Sequence, residues 1–144
     1  MNIISHIAFI PPILWSISLS SNVLATLQIM SAFSSLLYHC TNEHPIPRLM
    51  DFSAAGIINI TMAVCWFHSF TKSPIIFITT PLLTIISFTF WFIGGYPPRY
   101  GGNRKIYQTY HPLWHICAAT SLCIQTYFIK THFNNNLLEI FTSP

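Results

Sequence analysis

Five apolar stretches, each about as long as a bilayer-crossing helix, restrict what this chain can fold into. They cover residues 3–20, 23–40, 50–70, 74–95 and 110–129. A helix needs about 17–25 residues to cross the hydrocarbon core. Only 6% of the 144 residues are charged, whereas a soluble domain carries about 25%. We therefore predict an all-α integral membrane protein, a polytopic helical bundle with about five transmembrane helices.

Short polar connections separate these stretches, which predicts a single transmembrane domain over residues 1–144. The connections lie at 20–22, 41–48, 71–74 and 94–105. The tail at 130–144 is too short to cross a bilayer. Because Pro11 and Pro12 interrupt the first stretch and the fourth is long, four or six helices are alternatives.

Five polar side chains are placed at the ends of the apolar stretches. His111 and His115 are one helical turn apart, as are Ser35 and His39, and Asp51 opens the third stretch. If successive helices alternate in direction, the second helix ends on the membrane face where the third and fifth begin. The five residues are therefore predicted to converge at one membrane depth, where ionisable groups are costly and usually functional.

Three imidazoles beside a carboxylate and a hydroxyl suit a hydrolytic zinc site. Zinc with three protein ligands keeps one position for water and lowers the pKa of that water to about 7. The expected ligands are His39, His111 and His115, with one zinc per chain. Asp51 is the candidate acid–base catalyst, and Ser35 is the candidate donor to the developing oxyanion.

Structural roles are the alternatives for several of these residues. Asp51 also suits a helix N-cap, and Ser35 also suits helix packing. The remaining histidines are expected to hydrogen-bond within the bundle (His6, His68) or to be solvated in loops (His44, His132). The four cysteines form no CxxC pair and are expected to be reduced. Aromatic residues near helix ends are predicted to form an interfacial belt: Tyr38, Trp66, Trp91, Tyr96, Tyr107, Tyr110 and Trp114.

Basic residues predict the orientation of the bundle. Those expected on the histidine face are Arg48, Arg99, Arg104 and Lys105, against Lys72 and Lys130 on the other face. The positive-inside rule therefore places the N-terminus and the metal site on the cytoplasmic side, and the C-terminus outside. Arg99, Arg104 and Lys105 are candidate ligands for a lipid headgroup phosphate. The basic residues are too few and too dispersed for a nucleic-acid partner.

The ordered motifs resemble those of the CREST superfamily, which includes alkaline ceramidases, the GPI-anchor-remodelling lipase, adiponectin-type receptors and myomaker-like proteins. The similarity rests on Ser35-Leu-Leu-Tyr-His39, Met50-Asp51-Phe and His111-Pro-Leu-Trp-His115. It covers roughly residues 31–60 and 107–120 and is greatest to the myomaker-like branch. The resemblance implies that the three histidines hold zinc and that Asp51 and Ser35 contact its water. The superfamily has seven helices, so this chain resembles a shortened member.

These observations favour a zinc-dependent intramembrane hydrolase that cleaves the amide or ester of a membrane lipid, similar to a ceramidase or phospholipase. Two alternatives stay open. One is a non-catalytic multi-pass receptor or fusion-type protein with a structural metal site. The other is a haem-binding redox protein with His39 opposite His111 or His115. The sequence is also compatible with a homo-oligomer.

Overall fold

Five α-helices make up the fold in the computed structural model, which describes residues 7–18, 22–41, 44–97 and 101–133. They are α1 (Ile10–Ser18), α2 (Asn22–Cys40), α3 (Pro45–Lys72), α4 (Pro74–Gly94) and α5 (Arg104–Phe133). A 3₁₀ turn at 7–9 precedes α1. The described residues contain no strand, so the predicted all-α fold is confirmed.

Two helices extend beyond their predicted apolar limits because polar residues cap them further upstream. Helix α3 begins at Pro45 rather than at residue 50, and the ring of His44 accepts a hydrogen bond from the backbone N–H of the second helical residue. Helix α5 begins at Arg104 rather than at residue 110, where the Asn103 side chain accepts two backbone N–H groups of the first turn. Hydropathy therefore marked the apolar part of each helix rather than the whole helix.

Helices α2 and α4 lie close to their predicted limits, whereas α1 begins only at Ile10, well inside the predicted stretch 3–20. Helix α4 starts at Pro74, directly after Ser73, the extended residue that separates it from α3. Proline at the first helical position loses no helical hydrogen bond. Helix α4 ends at Gly94 and is capped by Gly95, whose φ of 65° is a conformation that favours glycine. The ends of the predicted first helix, at 3–6 and 19–20, and the tail from 134 onward lie outside the described residues.

Three of the described helices, α2, α3 and α4, are long and apolar enough to cross a bilayer. Their surfaces expose large apolar side chains, such as Phe67 at 75% and Phe92 at 80%, and such surfaces suit hydrocarbon better than water. Helix α5 has 30 residues and a length of about 45 Å, but it is more polar than these three. The segment Ile7–Ser18 is too short to cross alone. The chain is therefore an all-α membrane protein.

Helix α5 is the central element of the bundle, since it packs mainly on α4 and also contacts α1 and α3. Its C-terminal part buries Phe128, Ile129 and Phe133 against Leu24 and Cys65. Nearer the middle of the bundle, a second apolar cluster joins the 3₁₀ turn before α1 to α3 and α5 through Phe9, Ile58, Ala119 and Leu122. Helix α2 packs on α1 and α3. Side chains of α5 thus face every other helix that contributes to the site described below.

A buried hydrogen-bond network fixes α2 against α5. Ser16 Oγ donates to Gln28 Oε1 at 2.9 Å, and Gln28 Nε2 donates to Thr126 Oγ1 at 3.3 Å. Thr126 Oγ1 in turn donates to the Leu122 carbonyl at 2.8 Å. Such bonds stabilise helix contacts in lipid, where water supplies no partners. With Gln28 early in α2 and Thr126 late in α5, the two helices run antiparallel, and the end of α2 meets the first half of α5.

Candidate metal centre

Three histidine side chains from two helices meet at the end of the bundle where α2 stops. His39 lies in the last turn of α2, and His111 and His115 lie one turn apart on α5. The Nε2 atom of His111 is 3.1 Å from Nε2 of His39 and 3.0 Å from Nε2 of His115. The candidate ligand atoms of all three residues lie within 4.8 Å of one another. The structure thus brings together the three imidazoles that the sequence places at one membrane depth.

Hydrogen bonding alone does not account for this cluster of nitrogens. A ring nitrogen offers either one hydrogen or one lone pair. Nε2 of His111 nevertheless faces the other two imidazoles and, at 3.3 Å, the hydroxyl of Tyr107. A single cation would accept one lone pair from each ring. Tetrahedral zinc holds its ligand nitrogens about 3.4 Å apart. The two separations from His111 Nε2, 3.1 and 3.0 Å, are close to this value, so the three residues fit a metal ion.

Aromatic side chains surround the three imidazoles and hold their orientations. The Phe9 ring meets His115 edge-on with 5.3 Å between centroids, and Tyr38 lies 4.8 Å from His39. Trp114 lies 4.6 Å from His115 on its other side. His39 and His115 are only 8% and 2% exposed. Because this surrounding is apolar, electrostatic attraction between the rings and a cation would be stronger than in water.

Asp51 and Ser35 form a second part of the site, on α3 and α2. Both side chains are buried, at 7% and 3% exposed, and the Ser35 hydroxyl hydrogen-bonds the Asp51 carboxylate. Asp51 is the seventh residue of α3, and His44 caps that helix. The alternative in which Asp51 is an N-cap is therefore wrong. Ser35 likewise makes a specific polar contact and does more than fill space between helices.

One cavity joins the carboxylate to the histidine cluster. Ser35, Asp51 and His115 all line it, and it contains about 690 Å³ of empty space, a figure that includes space open to the surroundings. Most of the remaining wall is apolar, with contributions from Phe9, Ile58, Met62, Leu83, Phe88, Trp114, Ala118 and Leu122. An apolar pocket with a few convergent polar groups is the usual form of a small-molecule site.

A second cavity lies between α3 and α4 and adjoins the first, and its empty space of about 770 Å³ includes space open to the surroundings. Both cavities are lined by Asn59, Met62, Thr84 and Phe88. Exposed Ile85 also borders the second cavity, so the space reaches the outer surface of the bundle. Together the cavities form a largely apolar path from the Asp51 side chain to the surface between α3 and α4.

Pro112 lies inside α5, between the two histidines. A helix that began at residue 110, where the predicted stretch starts, would place Pro112 in its first turn, but α5 already begins at Arg104. His111 is consequently the eighth residue of α5 rather than its second. Proline lacks the backbone N–H of an interior helical residue and so weakens the helix at this point.

Tyr107 is the residue of this site that the sequence analysis missed. It is only 7% exposed, and its ring stacks on His111 with 4.4 Å between centroids and 22° between planes. We had assigned it, with Tyr38, to an interfacial belt because both lie near helix ends. The available signal was spacing, since Tyr107, His111 and His115 recur every four residues and therefore share one helix face.

Two of the three proposed headgroup residues lie at the same end of the bundle. Arg104 and Lys105 are exposed in the first turn of α5, whereas Arg99 lies outside the described residues. The other described histidines lie apart from the cluster. His44 is exposed at the start of α3, and His132 is exposed in the last turn of α5 rather than in a loop.

The remaining described histidine, His68, and the cysteines have surroundings that fit structural roles. His68 meets Phe133 edge-on at 5.6 Å, and His6 lies outside the described residues. All four cysteines are free, and Cys65 is buried in the apolar core while Cys40 is exposed. None of these residues belongs to the group of His39, His111 and His115.

No protein-family model matches the chain, and no curated protein or solved structure matches it either. The chemistry of the site is therefore interpreted from its own geometry. That geometry disfavours the haem alternative. Axial ligands approach haem iron from opposite faces of a flat macrocycle, whereas Nε2 of His111 lies 3.0–3.1 Å from both other rings and leaves no gap for one.

Proposed function

We propose that this protein is a zinc-dependent intramembrane hydrolase that cleaves an amide or ester bond of a membrane lipid. The observation that carries the proposal is the arrangement of two polar groups around one cavity. Three imidazole nitrogens lie within 4.8 Å of one another, and His115 shares its cavity with the hydrogen-bonded pair Asp51 and Ser35. A histidine cluster that can hold a metal ion, beside a carboxylate in a largely apolar pocket, is the arrangement that metal-assisted hydrolysis requires.

His39, His111 and His115 would hold the zinc, which supplies a Lewis acid and a water that ionises near neutral pH. Asp51 would accept at its carboxylate the proton that the hydrolytic water loses. The same carboxyl group would return the proton to the leaving amine or alcohol as the C–N or C–O bond breaks. Ser35 hydrogen-bonds the carboxylate, so we revise its role from oxyanion donor to a residue that orients Asp51.

A lipid substrate follows from the walls of the two cavities. They are mostly apolar and reach the surface between α3 and α4, and both of these helices are apolar enough to cross a membrane. A hydrocarbon chain could therefore enter from the bilayer without crossing water, while the amide or ester lies beside Asp51. The same apolar walls would not stabilise a hydrophilic substrate.

The proposal includes the cytoplasmic orientation of the histidine end and the resemblance to the CREST superfamily. Arg104 and Lys105 are exposed at that end and would attract an anionic headgroup, with Arg99 on the connection before them. The chain resembles a shortened member of the superfamily, whose catalytic and non-catalytic branches would both keep the metal. Lipid cleavage is therefore the property that distinguishes the two candidate functions.

Substitution of Asp51 tests the proposed chemistry. Asp51→Asn keeps the size of the side chain and an acceptor for Ser35, but it removes the group that accepts and returns the proton. We expect release of fatty acid from ceramide or phospholipid in mixed micelles to fall by about 10²–10⁴-fold. Zinc should stay bound, with affinity reduced by no more than about 10–100-fold. Product release is measured by mass spectrometry, and zinc is measured on the same preparation.

Thr89→Ala is the control, because Thr89 is exposed on α4 and its hydroxyl donates only to the Ile85 carbonyl of the same helix. An Asp51→Asn variant that cleaves lipid at the wild-type rate would rule out the proton transfer. A wild-type protein that holds zinc but cleaves none of a broad panel of lipid amides and esters would instead establish the structural metal site.

A further inference from the structure

Two buried hydroxyl groups depart from a rule that the other described serines and threonines of the helices largely follow. In a membrane helix such a hydroxyl usually donates to a carbonyl of the preceding turn. Thr61, Thr84 and Thr120 do so at 2.9–3.1 Å. Ser121 and Thr80 do not, and their hydroxyl oxygens have no hydrogen-bond partner within the described part of the chain.

Both exceptions lie on cavity walls. Ser121, which is 2% exposed, lines the cavity that also contains Asp51 and His115. Thr80, which is 4% exposed, lines the adjoining cavity between α3 and α4. A buried hydroxyl without a partner destabilises a protein, and such groups are rare in native structures. A ligand in the cavity that satisfies the hydroxyl would account for its position.

From these observations we propose that Ser121 is a specificity-determining residue, and that the lipid in this cavity carries a hydroxyl group on its hydrocarbon chain that hydrogen-bonds the Ser121 hydroxyl. The substrate class is thus a hydroxylated lipid amide or ester rather than one with plain hydrocarbon chains. This inference deepens the proposed function and rests on it for the identity of the cavity as the substrate site.

The position of Ser121 defines where the chain hydroxyl must lie. Ser121 follows His115 by six residues on α5, which corresponds to a rise of about 9 Å along the helix. Apolar side chains such as Phe9, Ile58 and Leu122 make up much of the cavity wall, which also contains other polar residues, among them Ser31, Asn59 and Ser87. The Ser121 hydroxyl is buried and has no partner within the described part of the chain, so a chain substituted at the matching depth gains a hydrogen bond there.

Selectivity would come from both partners of that bond. A hydroxylated chain that enters the cavity loses its hydrogen bonds to water and regains one from Ser121. A plain chain leaves the Ser121 hydroxyl without a hydrogen-bond partner. Sites built around a buried polar group discriminate against analogues that lack its partner more strongly than apolar pockets discriminate by size.

The test measures binding of stearate and of a positional series of monohydroxystearates to the detergent-purified full chain. We expect one position of the hydroxyl group to bind about 5–50-fold more tightly than stearate. Ser121→Ala should remove this preference and leave stearate affinity within about 2-fold, because the change deletes only one oxygen atom. Thr120→Val is the matched control, since Thr120 is exposed next to Ser121 and bonds only its own helix.

Three results would overturn the inference. The first is equal binding of stearate and every hydroxystearate by the wild-type protein, as expected if the Ser121 hydroxyl holds only water. The second is a preference that survives in Ser121→Ala. The third is a preference that is lost in Thr80→Val but kept in Ser121→Ala, which would move the hydroxyl site to the adjoining cavity. Because binding needs no turnover, a failed hydrolysis assay with a retained hydroxyl preference would count against the hydrolase and not against Ser121.

Discussion

Helices α2 and α5 are joined by two polar clusters, one toward each end, and the two clusters differ in how completely hydrogen bonds satisfy them. In the first, Ser16, Gln28 and Thr126 form a chain in which each donor meets one acceptor. In the second, Nε2 of His111 faces His39 and His115 at 3.0–3.1 Å, and no arrangement of hydrogens serves every contact. The first cluster therefore suffices as a helix–helix contact, whereas the second is explained by a shared cation.

This difference separates two roles that a polar residue can have inside a membrane bundle. A satisfied network such as that of Gln28 stabilises the packing of helices and needs nothing from outside the chain. A cluster of three imidazole nitrogens with a carboxylate near it is suited to bind a metal ion, and it contributes to stability mainly when the ion is bound. Substitutions in the histidine cluster should therefore lower zinc affinity and leave the stability of the metal-free protein largely unchanged. Substitutions in the Gln28 network should lower that stability and leave zinc affinity largely unchanged.

The largest effect is expected for His111→Ala. Nε2 of His111 lies within 3.1 Å of Nε2 in both other histidines. Its loss should therefore reduce zinc affinity by more than about 100-fold, which exceeds the usual cost of losing a residue that hydrogen-bonds a metal ligand. The wild-type protein should gain about 2.7 kcal/mol of stability when free zinc is 100 times its dissociation constant. His111→Ala should gain almost none. Thermal unfolding with and without zinc measures both values.

His132→Ala is the matched control for that experiment, because His132 is an exposed histidine of the same helix at its other end. It should keep the zinc-dependent stabilisation of the wild-type protein. If His111→Ala retained that stabilisation as well, the histidine cluster would be a hydrogen-bonded contact like the Gln28 network, and the contrast between the two clusters would disappear.

An intermediate effect is expected for Gln28→Ala, and it should be on stability rather than on zinc affinity. The substitution leaves the buried hydroxyls of Ser16 and Thr126 without the amide that links them, which should lower the free energy of unfolding by about 1–3 kcal/mol. Zinc affinity should stay within a few-fold of the wild-type value, since the histidines are on a different part of both helices. Denaturant titration of the metal-free protein in detergent gives the first quantity and zinc titration gives the second.

The partly exposed Thr79 provides a comparison for Gln28, because its hydroxyl donates only to the Ile75 carbonyl of its own helix. Thr79→Ala should change the unfolding free energy by less than about 0.5 kcal/mol. A Gln28→Ala variant that loses zinc while keeping its stability would show that the two clusters act as one unit.

The smallest effect is expected for Ser35→Ala, which tests how Asp51 is linked to the histidine cluster. Loss of one hydrogen bond to a carboxylate costs about 1.5 kcal/mol or more, so lipid hydrolysis should slow by about 10-fold. Zinc content should be unchanged, since Ser35 is not among the clustered ligands. Steady-state rates and zinc content on one preparation check both statements, and a Ser35→Ala protein as active as the wild type would remove Ser35 from the site.

Much of the fold was predictable because apolar stretches and short turns are local features. The turn at 71–74 and Pro74 predicted the start of α4 directly, and the spacing of His111 and His115 predicted a shared helix face. The upstream extents of α3 and α5 were not predictable from hydropathy, because polar residues continue each helix beyond its apolar part. A helix start at residue 110 would likewise misplace Pro112 in a first turn.

The parts of the site that sequence did not reveal depend on contacts between distant helices. Tyr107 and Tyr38 have the residue type and the position near helix ends that are typical of an interfacial belt. Only the packing of the helices shows that both rings contact histidines. The bond between Ser35 and Asp51 joins α2 to α3, and no local pattern predicts its geometry. The hydroxyl of Ser121 is identifiable only once its missing helical partner and its cavity are both known.

The metal content of the detergent-purified chain tests the central claim most directly. The wild-type protein and a variant with His39, His111 and His115 all changed to Ala are loaded with zinc, dialysed together and measured by elemental analysis against protein concentration. We expect about one zinc per chain in the wild-type protein and close to none in the triple variant. A wild-type protein that retains no zinc, or a triple variant that retains as much, would contradict the metal centre.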